Sequence, residues 1–325
     1  MNRIKATDMF RKVFKSFLSA ALLTAMGTAV SAADFDRDGK ADFAVFRPSS
    51  TTWINESSAA QSKRSSSFQW GHASDILVPA DFDGDGKTDF AVWRPANGVW
   101  YVHQSGDDSV LLVRWGTTTL HPTGGLPDVP VTGDYDGDGL TDMGVWRPDT
   151  GEWWILKSSN GYDQDNAIVY RWGKLGDVPV QADYDGDKKT DFAVFRPTEN
   201  RWHIRSSSSG RPSVHAFGIA GLDTLVPADY TGDTKADVAV YRGGVWHVLN
   251  SETGETEQFH LGFSDDVAVP ADYDGDGTTD FAVYRTGTWY VYDSSRPRLR
   301  TFNLGEVNDV PVNSGVVRQS IVAIP

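Results

Sequence analysis

The chain has 325 residues, 44 acidic and 30 basic, with a formal charge of −14 and no cysteine. Disulfides therefore cannot hold the fold together, and the acidic balance argues against nucleic acid or an anionic membrane as a partner. At the start of the chain, Arg3, Lys5, Arg11, Lys12 and Lys15 precede an apolar run from Phe17 to Val30 and the small-residue site Val30-Ser31-Ala32. That order is the pattern of a secretory signal peptide over residues 1–32. Its five basic residues against Asp8 give the segment +4, so residues 33–325 carry −18. The apolar run is too short and too interrupted for a membrane anchor, and no later stretch could span a bilayer. The expected location is secreted or periplasmic, without membrane insertion.

From residue 33 onward one unit repeats. The run Asp81-Phe82-Asp83-Gly84-Asp85-Gly86-Lys87-Thr88-Asp89 recurs from Asp34, Asp81, Asp134, Asp183, Asp229 and Asp272, at intervals of 47, 53, 49, 46 and 43 residues. After each run comes an apolar strand that closes on arginine, such as Met143 to Arg147. A turn and an aromatic strand (Glu152 to Leu156) follow, then a polar loop and a last strand (Ala167 to Gly173). The short lead-in Val129 to Gly133 precedes the aspartates. Four short strands in 40 to 50 residues, with no helical period, make one blade of an antiparallel β-propeller. Pro79, Pro130, Pro179, Pro227, Pro270 and Pro311 are read as one recurring place in the first strand, at a strand start or inner edge. The first unit lacks a lead-in, whereas Asp309 to Asn313 supply one with no aspartate loop after it. The fold class is thus all-β: six full blades, closed by the C-terminal strand, in one domain over residues 33–325. The tail Ser320 to Pro325 leaves a rudimentary seventh blade as the alternative.

The aspartate runs are candidate cation sites. Four carboxylates in nine residues repel one another unless neutralised, and all-oxygen donors with glycine at the bend suit Ca²⁺. The loops resemble the first half of an EF-hand. Its bidentate Glu at position 12 is replaced, however, by Val45, Val92, Val145, Val194, Val240 and Val283. Ligands are expected at positions 1, 3, 5 and 9. In unit 1 these are Asp34, Asp36, Asp38 and Asp42; in unit 2, Asp81, Asp83, Asp85 and Asp89; in unit 3, Asp134, Asp136, Asp138 and Asp142. Unit 4 supplies Asp183, Asp185, Asp187 and Asp191, with Lys188 in place of the glycine. Unit 6 supplies Asp272, Asp274, Asp276 and Asp280. Unit 5 keeps only Asp229, Asp233 and Asp237, with Thr231 and Thr234 where Asp and Gly belong, and is expected to be weak or empty. About five Ca²⁺ ions are expected, as structural staples rather than switches.

With this pattern on the page, the chain resembles the FG-GAP (VCBS-type) repeats of integrin α-subunit propellers and secreted bacterial proteins. The Phe-Gly element corresponds to Trp70-Gly71, Trp115-Gly116, Trp172-Gly173 and Phe217-Gly218, weakening to Leu261-Gly262 and Leu304-Gly305. Arg-Pro replaces Gly-Ala-Pro in the first four units. The resemblance implies a calcium-binding propeller and ligands on the face away from the metal loops. It leaves the activity open, because the fold hosts adhesion, glycan binding and some lyases.

On that opposite face the strand pattern places Arg47, Arg94, Arg147, Arg196, Arg242 and Arg285 in a ring, with Trp53, Trp100, Trp153, Trp202, Trp246 and Trp289 nearby. Such a ring could hold carboxylates or acidic sugars of a glycan or protein ligand. Equally, Asp128, Asp177 and Asp309 stand where they could pair with the arginines and make the ring a scaffold. Features peculiar to one blade, namely His121, Trp154, His203 and His247, are the other ligand candidates. There is no His-Glu-x-x-His, no Gly-x-Ser-x-Gly and no cysteine nucleophile, so no catalytic residue is assigned. The expected role is a binding or adhesion module, with a polysaccharide-active enzyme or a structural assembly protein as alternatives.

Overall fold

A computed structural model describes residues 33–58, 65–117 and 126–312. Residues 1–32, where a signal peptide is expected, His121, and the tail from Ser320 to Pro325 lie outside the described residues. Strands β1 to β24 form six four-stranded antiparallel sheets, the blades of a propeller. Blade 2 joins β4 (Ile76–Leu77), β5 (Phe90–Arg94), β6 (Val99–His103) and β7 (Val110–Arg114) in that order. Blades 3 to 6 repeat this order over residues 129–171, 178–216, 224–260 and 267–303. In blade 1, β24 (Val310–Pro311) pairs with β1 (Phe43–Arg47), placing Pro311 opposite Val45 and joining the last described strand to the first.

A second set of contacts closes the ring independently of β24. The backbone N–H at position 8 of each aspartate loop donates to the carbonyl of the first aspartate of the preceding loop. Thr88 reaches Asp34 at 2.7 Å, Thr141 reaches Asp81 at 3.1 Å, and Thr190 reaches Asp134 at 2.6 Å. Ala236 reaches Asp183, Thr279 reaches Asp229, and Ala41 reaches Asp272, each at 2.7 Å. The last bond carries blade 1 back to blade 6, so the circle is complete at six.

Alternation along each strand puts one side chain in two between the sheets. The inner strand-two residues (Val45, Val92, Val145, Val194, Val240, Val283) are buried, as are the six strand-three tryptophans. Position 2 of the loops is aromatic and wedges the blades together. Phe35 stacks on Phe90 at 5.1 Å, Tyr135 on Phe192 at 5.4 Å, and Tyr230 on Phe281 at 5.0 Å.

The prolines occupy two places, not one. Pro130, Pro179 and Pro311 sit in the ladder opposite Val145, Val194 and Val45. Pro79, Pro227 and Pro270 lie two residues further along. The residue between these places donates its N–H to strand two: Val131 to Gly144 at 2.8 Å, Val78 to Ala91 at 3.0 Å. Its neighbours on either side turn their backbone nitrogens away from the ladder, on an edge strand, so neither place needs a donor.

Candidate metal centres and the opposite face

Each aspartate loop folds around its first carboxylate. Asp34 Oδ1 accepts from the N–H of Arg37 at 2.6 Å and Oδ2 from that of Gly39 at 2.8 Å. The same two bonds recur at Asp81, Asp134, Asp183, Asp229 and Asp272. Both donors, positions 4 and 6, take left-handed backbone. Glycine fills both in units 2, 3 and 6, whereas Arg37 (φ 64°), Lys188 (φ 68°) and Thr234 (φ 70°) each occupy one of them. A non-glycine there costs about 1–2 kcal/mol. Unit 1 therefore carries the strain of a missing glycine as well as units 4 and 5.

The ninth position has a second duty. Asp42, Asp89, Asp142, Asp191, Asp237 and Asp280 are fully buried. One oxygen accepts the position-2 N–H of its own loop, as from Tyr135 to Asp142 at 2.8 Å. The other accepts a serine N–H from the turn between strands three and four, as from Ser158 to Asp142 at 2.7 Å. Burial pushes these carboxyls up, to about 7 for Asp42 and to about 6 for Asp89, Asp142, Asp191 and Asp280. Asp237 shifts upward for the same reason.

The serines are a component that sequence reasoning missed. Ser105, Ser158, Ser207, Ser251 and Ser294 each donate a hydroxyl to the fifth-position carboxylate of their blade, at 2.7–3.0 Å. The signal was a serine 16 residues after the ninth aspartate in units 1 to 4, and 14 after it in units 5 and 6.

In at least five loops, three carboxylates bring ligand atoms within 4.8 Å of one another: Asp34, Asp36 and Asp42; Asp81, Asp83 and Asp85; Asp134, Asp136 and Asp142; Asp183, Asp185 and Asp187; and Asp272, Asp274 and Asp276. Within these clusters Asp136 Oδ1 and Asp274 Oδ1 are buried and accept from no donor among the described residues. A buried, unpaired carboxylate oxygen facing other carboxylates fits an all-oxygen cation site. In unit 5 the corresponding atom is the hydroxyl of Thr231, also buried and unpaired, a neutral and weaker donor.

The arginines end strand two at the other face, and each lies fork-to-fork on an aspartate just before strand one. Arg94 meets Asp75 with both bonds at 2.8 Å, Arg196 meets Asp177 with both at 2.8 Å, and Arg47 meets Asp309 at 2.9 and 2.8 Å. Arg147 with Asp128, Arg242 with Asp223, and Arg285 with Asp266 complete the ring. The sequence suggested Asp128, Asp177 and Asp309 as partners; Asp75, Asp223 and Asp266 hold the same place and were missed. The variable residues after them (Ile-Leu, Thr-Leu, Val-Ala instead of Val-Pro) hid the alignment, and also merged the two proline places.

The strand-three tryptophans do not face a ligand. Trp53 and its five equivalents are at most 1% exposed. Each indole N–H donates to the carbonyl of the aromatic or leucine that precedes the recurring glycine, as Trp153 to Trp172 at 2.8 Å and Trp202 to Phe217 at 3.2 Å. Their shared position made them look like a rim; the alternation of the strand turns them into the core. Of the single-blade candidates, Trp154 lies under Arg147 at 4.7 Å. His203 stands 3.5 Å from Glu199, and burial followed by Arg196 lowers its pKa. His247 is likewise lowered by burial and by Arg242. Among the described residues no helix is long and apolar enough to cross a membrane.

Residues 81–145 match the FG-GAP-like repeat family, and residues 26–61 match the FG-GAP repeat family. No curated protein matches the chain. Among solved structures, an Agrocybe aegerita lectin, described as specifically recognising non-reducing terminal N-acetylglucosamine, is 14% identical, with 84% of this chain and 92% of the lectin covered and a TM-score of 0.51. BBS1N, solved in complex with ARL6DN, is 11% identical, with 91% of this chain and 95% of that one covered and a TM-score of 0.50. At such identities the likeness is one of fold.

Proposed function

We propose that this chain, a six-bladed β-propeller whose residues 26–61 and 81–145 match FG-GAP repeat families, is a secreted, calcium-stabilised module that binds a glycan or envelope component. The observation that carries the reading is the division between the two faces. On one face six near-identical loops interlock in a closed circle of hydrogen bonds, the behaviour of a scaffold. On the other, the loops between blades differ in chemistry, as His72-Ala73-Ser74, Lys174-Leu175-Gly176 and Glu306-Val307-Asn308 do at one equivalent place, and there a ligand can be told apart.

Calcium would be held by positions 1, 3 and 5 with help from position 9, and would neutralise carboxylates that otherwise repel across each loop. Because the first aspartate also accepts the next blade's N–H, an ion there would fasten two blades at once. The signal-like segment over residues 1–32 supports export, where calcium is plentiful. A glycan array probed with the full chain in calcium tests the reading: saturable binding to a related set of glycans supports it, and an empty array speaks against it.

A second reading, an assembly partner, draws on the exposed apolar side chains of the opposite face. Leu175, Leu222, Phe263 and Val307 are 53–67% exposed in four successive loops between blades. Apolar side chains clustered on one face suit a protein contact. Co-purification of one stoichiometric protein with the native chain, lost when these residues become serine, would favour it.

A further inference from the structure

The six arginines of the opposite face share one aspartate partner each but differ in what meets their outer side. Arg47 takes a second carboxylate, Glu306, at 3.1 Å. Arg196 takes Glu199 at 3.5 Å, and Arg147 takes Glu152 at 3.9 Å. Arg285 is covered by the rings of Phe263 at 4.4 Å and Tyr290 at 4.7 Å. Arg94 and Arg242 meet no second carboxylate among the described residues. Arg242 has His247 in the adjacent strand. Arg94 instead lies against the phenol ring of Tyr101 at 4.2 Å and opens onto a cavity of about 350 Å³ between blades 1 and 2. Thr51, Gln69, Trp70 and Gly71 complete its walls.

We propose that this cavity is a subsite for a carboxylate-bearing sugar, a uronate, whose carboxylate takes the place on Arg94 that Glu306 takes on Arg47. The protein itself displays the arrangement three times, so an arginine already paired with a buried aspartate accepts a second carboxylate on its outer side. A guanidinium has five N–H donors, and Asp75 engages two of its nitrogens, leaving donors for the ligand. The carboxylate contact is charge-assisted, stronger than one to a neutral hydroxyl. Thr51 and Gln69 supply polar atoms for sugar hydroxyls, and Trp70 and Tyr101 the aromatic surface. The inference rests on the glycan-binding reading and adds to it one place and one ligand class.

The site can be plugged without touching its machinery. His72 follows Gly71 as Glu306 follows Gly305, and the two backbone N–H groups bond equivalent aspartates, Asp75 at 2.8 Å and Asp309 at 2.9 Å. His72 is exposed, so His72→Glu should install the protein's own carboxylate on Arg94 without disturbing the fold.

The test is calorimetric titration of the full chain in calcium with 4-nitrophenyl β-glucuronide, with the matched glucoside, and with acetyl-trialanine as a non-sugar carboxylate. The glucuronide should bind saturably, with the glucoside and the peptide weaker by about tenfold or more, the scale of one charge-assisted hydrogen bond. His72→Glu should weaken the glucuronide by about tenfold or more at unchanged melting temperature. Equal binding of glucoside and glucuronide would overturn the carboxylate assignment while leaving glycan binding intact. Failure of the glucuronide to bind, a peptide that binds as well, or a plugged variant that binds as wild type would also overturn it. An empty glycan array in addition would remove the parent reading as well.

Discussion

The arginine–aspartate ring makes a strong energetic claim, and Asp177→Asn tests it. Asp177 is 6% exposed and accepts three bonds: from Arg196 Nε and Nη2 at 2.8 Å each, and from the Lys174 N–H at 3.0 Å. The amide keeps the shape but loses the charge and turns a donor toward the guanidinium. Unpairing one partner of a buried ion pair costs about 3–5 kcal/mol. Glu199, 3.5 Å from Arg196, offers a substitute acceptor, which brings the expectation to the lower end, about 3 kcal/mol. At about 2 °C per kcal/mol for a domain of this size, the melting temperature should fall by about 6 °C. Differential scanning calorimetry in excess calcium measures it with the cation loops not limiting. Replacing both partners, Asp177→Leu with Arg196→Met, should cost less than the sum of the single changes, because no orphaned charge remains. A single variant within about 0.5 kcal/mol of wild type, or strictly additive losses, would refute the pairing as a stabilising element.

Three further outcomes follow from the loops and the closure. Lys188→Gly relieves a left-handed lysine and should stabilise by about 0.5–1 kcal/mol, read as a rise in melting temperature, after allowing for the freer unfolded chain. The ninth-position carboxyls titrate at about 6 to 7 in the fold against an ordinary 3.8, so the cation-free fold binds more protons than the unfolded chain in that window. Their contribution is fully present below pH 3.8 and is lost as pH rises through 6 to 7, so in EDTA the melting temperature should fall from pH 5 to pH 8. Calcium competes with those protons, and its stabilising effect should grow over the same window; a flat profile in EDTA would contradict the shifts. Deleting residues 309–325 removes β24 and the partner of Arg47, and should broaden or abolish the cooperative transition seen by circular dichroism. A truncated chain that melts like the full one would contradict closure by β24.

The repeat made the architecture legible because each aspartate run fixes a turn at the same point of every blade, and spacing alone then counts the blades. The clustering of the loop carboxylates was legible for the same reason. Other features depended on which way a side chain points or on a register too short to read. The strand-three tryptophans were placed on a face, but a five-residue strand turns Trp53 and its equivalents inward. The first strand is only two residues long in every blade, so Asp75, Asp223 and Asp266 gave no pattern to align with Asp128. The serine turn that braces each ninth aspartate is local in space and 14 or 16 residues away in sequence, with a loop of changing length between. The circle of position-8 hydrogen bonds uses main-chain atoms only and leaves no trace in residue type.

The central claim is that the aspartate loops bind calcium and thereby hold the six blades in one rigid ring. Thermal unfolding of the full chain, in excess calcium and again in EDTA at the same pH and ionic strength, tests it most directly. Each occupied site adds about 2.7 kcal/mol when free calcium is about a hundred times Kd, so several sites together should raise the melting temperature by about 10 °C or more. Neutralising the first aspartate of an intact loop, Asp134→Asn, should reduce that rise, whereas Asp229→Asn in unit 5 should leave it nearly unchanged. Superimposable traces in calcium and EDTA would contradict the account.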